Sequence, residues 1–102
     1  MNFIGSMREK IRAGKFEFSK HATDQSIKRN IHVQEMKEAL LNGEVIEDYP
    51  DDKYGPSCLI FGLTTEGHPL HVQCSYPQRD LIKIITLYRP DSDRWINFKR
   101  RK

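Results

Sequence analysis

Apolar positions in the first third of the chain recur at helical spacing. Phe3, Ile4, Met7 and Ile11 predict a short amphipathic helix over 2–13 that Gly14 stops. Phe16-Glu17-Phe18 reads as a brief extended link. Ser19 offers a hydroxyl N-cap for a helix over 20–29, and Asn30, which tolerates left-handed backbone, ends it. Val33, Met36, Ala39 and Leu40 stripe a third helix over 33–42, with Gly43 as its stop.

Beyond Gly43 the period drops to two. Strands are expected over 45–49, 58–64, 69–75 and 81–88, the last being the most apolar and expected to be central. Thr65-Glu66-Gly67 joins the second and third strands, with Gly67 where a three-residue loop needs positive φ. That loop sets Cys58 opposite Cys74, Ile60 opposite Val72 and Gly62 opposite Leu70 on a shared core-facing surface. The other face carries Leu59, Phe61 and Leu63 beside His71 and Gln73. Asp91–Trp95 reads as a turn, with Trp95 as a lid on the sheet edge or an aromatic that stacks on a base. Helices followed by a four-stranded meander predict an α+β fold, with the helices on one face of a mainly antiparallel sheet.

The 102 residues suit one small domain: a helix and link over 1–17, a core over 18–95 and a basic tail over 96–102 expected to be solvated. A separate cofactor domain has no room. No apolar run is long enough for a membrane helix, and no charged-then-apolar leader opens the chain, so the expectation is a cytoplasmic protein with no membrane partner. The two cysteines are expected to be buried thiols.

The net charge of +3 conceals segregation. Residues 1–31 carry +4, residues 32–56 carry −5 and residues 57–102 carry +4. Should the two basic ends meet in the fold, a surface suited to phosphate results.

Several separated motifs carry a resemblance. Phe18-Ser19-Lys20-His21-Ala22, Arg29-Asn30-Ile31 and the run from Gly43 to Pro50 occur in order. Gly55-Pro56-Ser57-Cys58-Leu59, Pro69-Leu70-His71-Val72 and Ile85-Thr86-Leu87-Tyr88-Arg89-Pro90 follow. Over about residues 18–95 the chain resembles a family of small bacterial and archaeal proteins, a domain of unknown function placed with the RelE/ParE-like toxins. That family belongs to the barnase–EndoU–colicin–RelE grouping of metal-independent ribonucleases. Gln25 departs from the pattern where a second basic residue is common, and Asn30 where Gly is frequent. The resemblance implies a RelE/ParE-like fold and an endoribonuclease or a degenerate relative acting on RNA. Ribosome association, a cognate antitoxin and a homodimer are further options it leaves open.

Cleaving RNA without a metal needs a base for the 2′-hydroxyl, an acid for the departing 5′-oxygen and cations for the phosphorane. His21 and His71, at the positions matching the family motifs, are the acid/base candidates, since an unperturbed imidazole titrates near ~6.5. Tyr88 is the assisting catalytic candidate. Arg29, eight residues after His21 and about 12 Å along the helix, shares its face, with Gln25 between them. Arg29, Arg89, Thr86 and Gln25 are the candidate RNA contacts. Structural alternatives stand beside these roles. His21 and His71 equally suit structural hydrogen bonds, Tyr88 suits packing, and Arg29 suits an ion pair with the acidic 44–52 segment.

The turn over 76–80 decides whether His71 joins Thr86 and Tyr88. Pairing Tyr76 with Leu81 sets His71 opposite Thr86, whereas pairing Ser75 with Leu81 sets it opposite Ile85. His32 reads as a helix-start residue and His68 as a turn residue. His68 and His71 fall on opposite strand faces and cannot share an ion, so no metal or other cofactor is expected.

A second reading is a non-catalytic module that binds a partner protein, motivated by the apolar Leu59-Phe61-Leu63 face and by exposed strand edges. DNA binding through the basic ends is a third. Imidazoles of His21 and His71 around one phosphate favour the enzyme; opposite faces of the sheet favour the module.

Overall fold

The computed structural model describes residues 3–102. Among these described residues are three helices, α1 (Ile4–Arg12), α2 (Lys20–Arg29) and α3 (Val33–Asn42), and seven strands. The strands are β1 (Phe16–Phe18), β2 (Glu44–Tyr49), β3 (Ser57–Leu63), β4 (Pro69–Ser75), β5 (Ile82–Tyr88), β6 (Trp95–Ile96) and β7 (Arg100–Arg101). Asn2, the expected first helical residue, lies outside the described residues. Among the described residues no helix is long and apolar enough to cross a membrane.

The main sheet has five strands in the order β1-β5-β4-β3-β2, not four. The extra strand is the Phe16-Glu17-Phe18 link, which runs parallel to β5 and pairs Phe16 with Ile82 and Phe18 with Ile84. Its alternation explains the pairing: both phenylalanines turn onto the core while Glu17 stays exposed. β5 therefore has a neighbour on each side.

All three helices pack on one face of the sheet, over a core of Met7, Ile11, Met36, Leu40, Ile60, Leu70, Val72, Ile82, Ile84 and Leu87. Cys58 and Cys74 are free thiols within that core and lie directly opposite each other. The whole β3–β4 register matches the expectation from the loop, and Gly67 has φ +83°. Helix α3 lies against β3 at Gly62, where an added Cβ would sit 1.9 Å from the Ala39 carbonyl oxygen. Only glycine permits that approach.

Helix α2 is tied to β5 at both ends. The Ser19 Oγ accepts from the Ala22 N–H at 3.0 Å and donates to the Ile85 carbonyl at 3.1 Å. Asn30 ends the helix at φ 53°, ψ 49°, and Arg89 donates to the Arg29 and Asn30 carbonyls at 2.7 and 3.1 Å. Orphaned carbonyls at the helix end thus find the guanidinium of the residue that follows β5.

The opposite face of the sheet is covered by the end of the chain, where a solvated tail was expected. β6 and β7 form a small antiparallel pair, Trp95 with Arg101 and Ile96 with Arg100. Arg101 bonds Glu47 through Nε at 2.8 Å and Nη2 at 3.1 Å, and Lys99 pairs with Glu44 at 3.0 Å. The acidic middle of the sequence anchors its basic end. Leu59 is consequently buried and Phe61 half-buried, with the Phe98 ring 6.2 Å from that of Phe61. The apolar face expected to await a partner is occupied by the chain itself, and only Leu63 stays exposed there.

Candidate nucleic-acid interface

The register between β4 and β5 differs from both alternatives drawn from the 76–80 turn. Cys74 pairs with Ile84, but Gln73 pairs with Thr86 and His71 with Tyr88, because Ile85 is an extra residue in a β-bulge. The bulge restores what a regular ladder would have lost: His71, Gln73, Thr86 and Tyr88 share the face opposite the helices. The Ile85 carbonyl left over by the bulge is the acceptor for Ser19 Oγ.

His71 is completely buried on that face. Its Nε2 donates to the Phe98 carbonyl at 2.6 Å, and its Nδ1 lies 3.1 Å from the Tyr88 hydroxyl. Trp95 packs edge-on against the ring, with centroids 4.4 Å apart and planes at 90°. Burial pushes the imidazole pKa below its ordinary value. The facing carboxylate of Glu47 acts in the other direction, and Arg101 adds to the lowering. Burial likewise raises the Tyr88 phenol, which stays protonated at neutral pH.

His21 does not join this group. It is exposed in the first turn of α2, on the helical side of the sheet, so the two histidines expected as an acid/base pair stand on opposite faces. His71 has both nitrogens engaged and no exposed surface, so it cannot reach a substrate as the first-contact base. Gln25 is half-buried in α2 with its Oε1 buried, and Thr86 is half-buried beside Gln73. Neither lines the cleft described next.

The open concavity is formed where the C-terminal end of α2, the end of β5 and the C-terminal hairpin meet. This cleft of about 820 Å³ is lined by Arg29, Tyr88, Arg89, Asp91, Asp93, Arg94, Trp95, Arg101 and Lys102. Five cations face two carboxylates there. Arg29 comes from the first basic block and the other four cations from the last, so the two basic ends do meet.

The cations differ in how far the fold already uses them. Arg101 is committed to Glu47 and lies over the Trp95 ring at 4.8 Å, and Arg89 caps α2 and sits 3.9 Å from Glu35. Arg29 donates from Nη1 to the Leu87 carbonyl at 2.8 Å and forms no ion pair with the 44–52 segment. Among the described residues, Arg29, Arg94 and Lys102 make no ion pair at all. Trp95, only 6% exposed between His71 and Arg101, has no face free for a base. The turn at Asp91–Trp95 was expected, but Arg94, Arg101 and Lys102 were not among the candidate RNA contacts. The signal was the +4 of the last block and its closing basic run, without a partner to show where it folds. Among the described residues no three His, Cys, Asp or Glu side chains converge as a metal site.

Fold and site together define a small α+β domain with a basic cleft at the end of its sheet. The chain belongs to the family described as Domain of unknown function (DUF4258), whose pattern matches residues 18–89. No curated protein and no solved structure matches it. The family segment supplies Arg29, Tyr88 and Arg89; Arg94, Trp95, Arg101 and Lys102 lie beyond it.

Proposed function

We propose that this chain is a cytoplasmic RNA-directed domain of the RelE-like toxin type, in its degenerate form: it binds the phosphodiester backbone in the basic cleft without a two-histidine cleavage centre. The observation that carries the reading is the convergence of Arg29, Arg89, Arg94, Arg101 and Lys102 around Tyr88 in one open concavity. Cations with no carboxylate partner are the ones able to exchange counterions for phosphate, and here these are Arg29, Arg94 and Lys102. The separation of His21 from His71 by the sheet argues against the paired acid/base chemistry that metal-free cleavage requires.

The test is binding of a short fluorescein-labelled single-stranded RNA, followed by anisotropy from low to physiological salt. Saturable, salt-weakened binding that the Arg29→Ala/Arg94→Ala double variant loses is expected, with the RNA recovered intact. No saturable binding at low salt overturns the proposal, and RNA cleavage that His21→Ala abolishes overturns its non-catalytic part. The binding of a partner protein instead has less behind it, since the chain's own hairpin covers the apolar face that suggested it.

A further inference from the structure

The hydrogen-bond directions around His71 fix what Tyr88 offers to the cleft. The Phe98 carbonyl can only accept, so the Nε2 atom 2.6 Å away must carry the imidazole proton. In the neutral ring Nδ1 is then a bare lone pair, and the hydroxyl 3.1 Å from it has to donate. With its hydrogen spent on His71, the Tyr88 oxygen has only lone pairs left. A phosphate oxygen, also an acceptor, finds no partner in it; a hydroxyl does.

We infer that Tyr88, oriented by the buried His71, reads the ribose 2′-hydroxyl and makes the cleft selective for RNA over DNA. The inference rests on the cleft being a nucleic-acid site. Tyr88 stands among the cations that would hold the neighbouring phosphates, so a sugar hydroxyl lies at the right level of the backbone to meet it. His71 acts here as a positioning residue. Its ring is held by Trp95 edge-on, by the Phe98 carbonyl and by the fully buried site, which leaves the tyrosine one orientation of its O–H. The arrangement also predicts its own reversal. Protonated His71 donates from both nitrogens, so Tyr88 must accept from Nδ1 and turn its hydrogen to the cleft. The charged and titratable groups facing this pair are Glu47 from β2 and Arg101 from β7, with Arg29 from α2 near Tyr88.

The experiment compares three fluorescein-labelled single strands of one sequence: RNA, DNA and 2′-O-methyl RNA, which keeps the oxygen but cannot donate. The wild-type chain is expected to bind RNA roughly 3- to 10-fold tighter than either of the others near neutral pH. Tyr88→Phe should lower RNA affinity to the DNA value and leave DNA affinity unchanged. As pH falls and His71 becomes protonated, the wild-type discrimination against 2′-O-methyl RNA should shrink, because the ether oxygen can accept from the turned hydroxyl, and Tyr88→Phe should show no such trend. Equal wild-type affinity for RNA and DNA overturns the inference while leaving the cleft as a nucleic-acid site. A preference that survives Tyr88→Phe removes Tyr88 as the reader. Binding of none of the three strands overturns the inference together with the cleft reading itself.

Discussion

Arg101 grips Glu47 through two hydrogen bonds, and in doing so fastens the last strand of the chain across the sheet face that carries His71. Around this pair the guanidinium holds the Glu47 carboxyl below its ordinary range, and the Arg101 plane rests on Trp95. The contact helps hold down the C-terminal segment whose Trp95 ring and Phe98 carbonyl pack against the buried His71.

Replacing Arg101 with Ala should loosen the hairpin before it threatens the domain. The Arg101 side chain is 64% exposed, so solvent screening limits the ion pair to about 0.5–1 kcal/mol. The only tryptophan is Trp95, 6% exposed beneath this arginine. Its emission should therefore shift to the red in Arg101→Ala, with only a few degrees lost from the global melting temperature.

Acid should act in two windows. His71 has a folded-state pKa below 6.5, so the unfolded chain binds its proton first and stability falls as pH drops below about 6.5. Glu47 has a pKa lowered from 4.5, so its contribution is present above 4.5 and is lost as pH falls through its folded value. Urea unfolding across this range should show the first decline in wild type. An NMR titration should find the His71 imidazole titrating below its ordinary value.

Gly62→Ala tests the seat of α3. The new methyl would stand 1.9 Å from the Ala39 carbonyl oxygen, a backbone atom that yields only if the helix moves. Overpacking of this kind costs roughly 1–3 kcal/mol. A drop of that size in urea unfolding, with the α-helical circular dichroism retained, is the expected result.

Salt dependence separates the cations. Arg94 makes no ion pair, so Arg94→Ala should reduce the slope of log affinity for single-stranded RNA against log salt by about 0.7. Lys83 lies outside the cleft and is paired with Glu17, so Lys83→Ala should leave the slope alone.

Local sequence determined the elements whose cause is local. Ser19 and Asn30 bound α2 through their own side chains and backbone, and the Thr65-Glu66-Gly67 loop set every pair from Ser57–Ser75 to Leu63–Pro69. The charge blocks, the match to the family and the α+β order were legible for the same reason: each is written in consecutive residues. Tertiary structure alone decided three matters. Phe16–Phe18 became a strand only because β5 offered a free edge, Ile85 became a bulge only when β4 and α2 both claimed β5, and the basic end folded back only because Glu44 and Glu47 lay across the sheet. All three depend on partners far apart in the chain, and a period of two carries no mark for the residue at which a ladder slips. That slip placed His71 opposite Tyr88, and the fold, not the motif, separated it from His21.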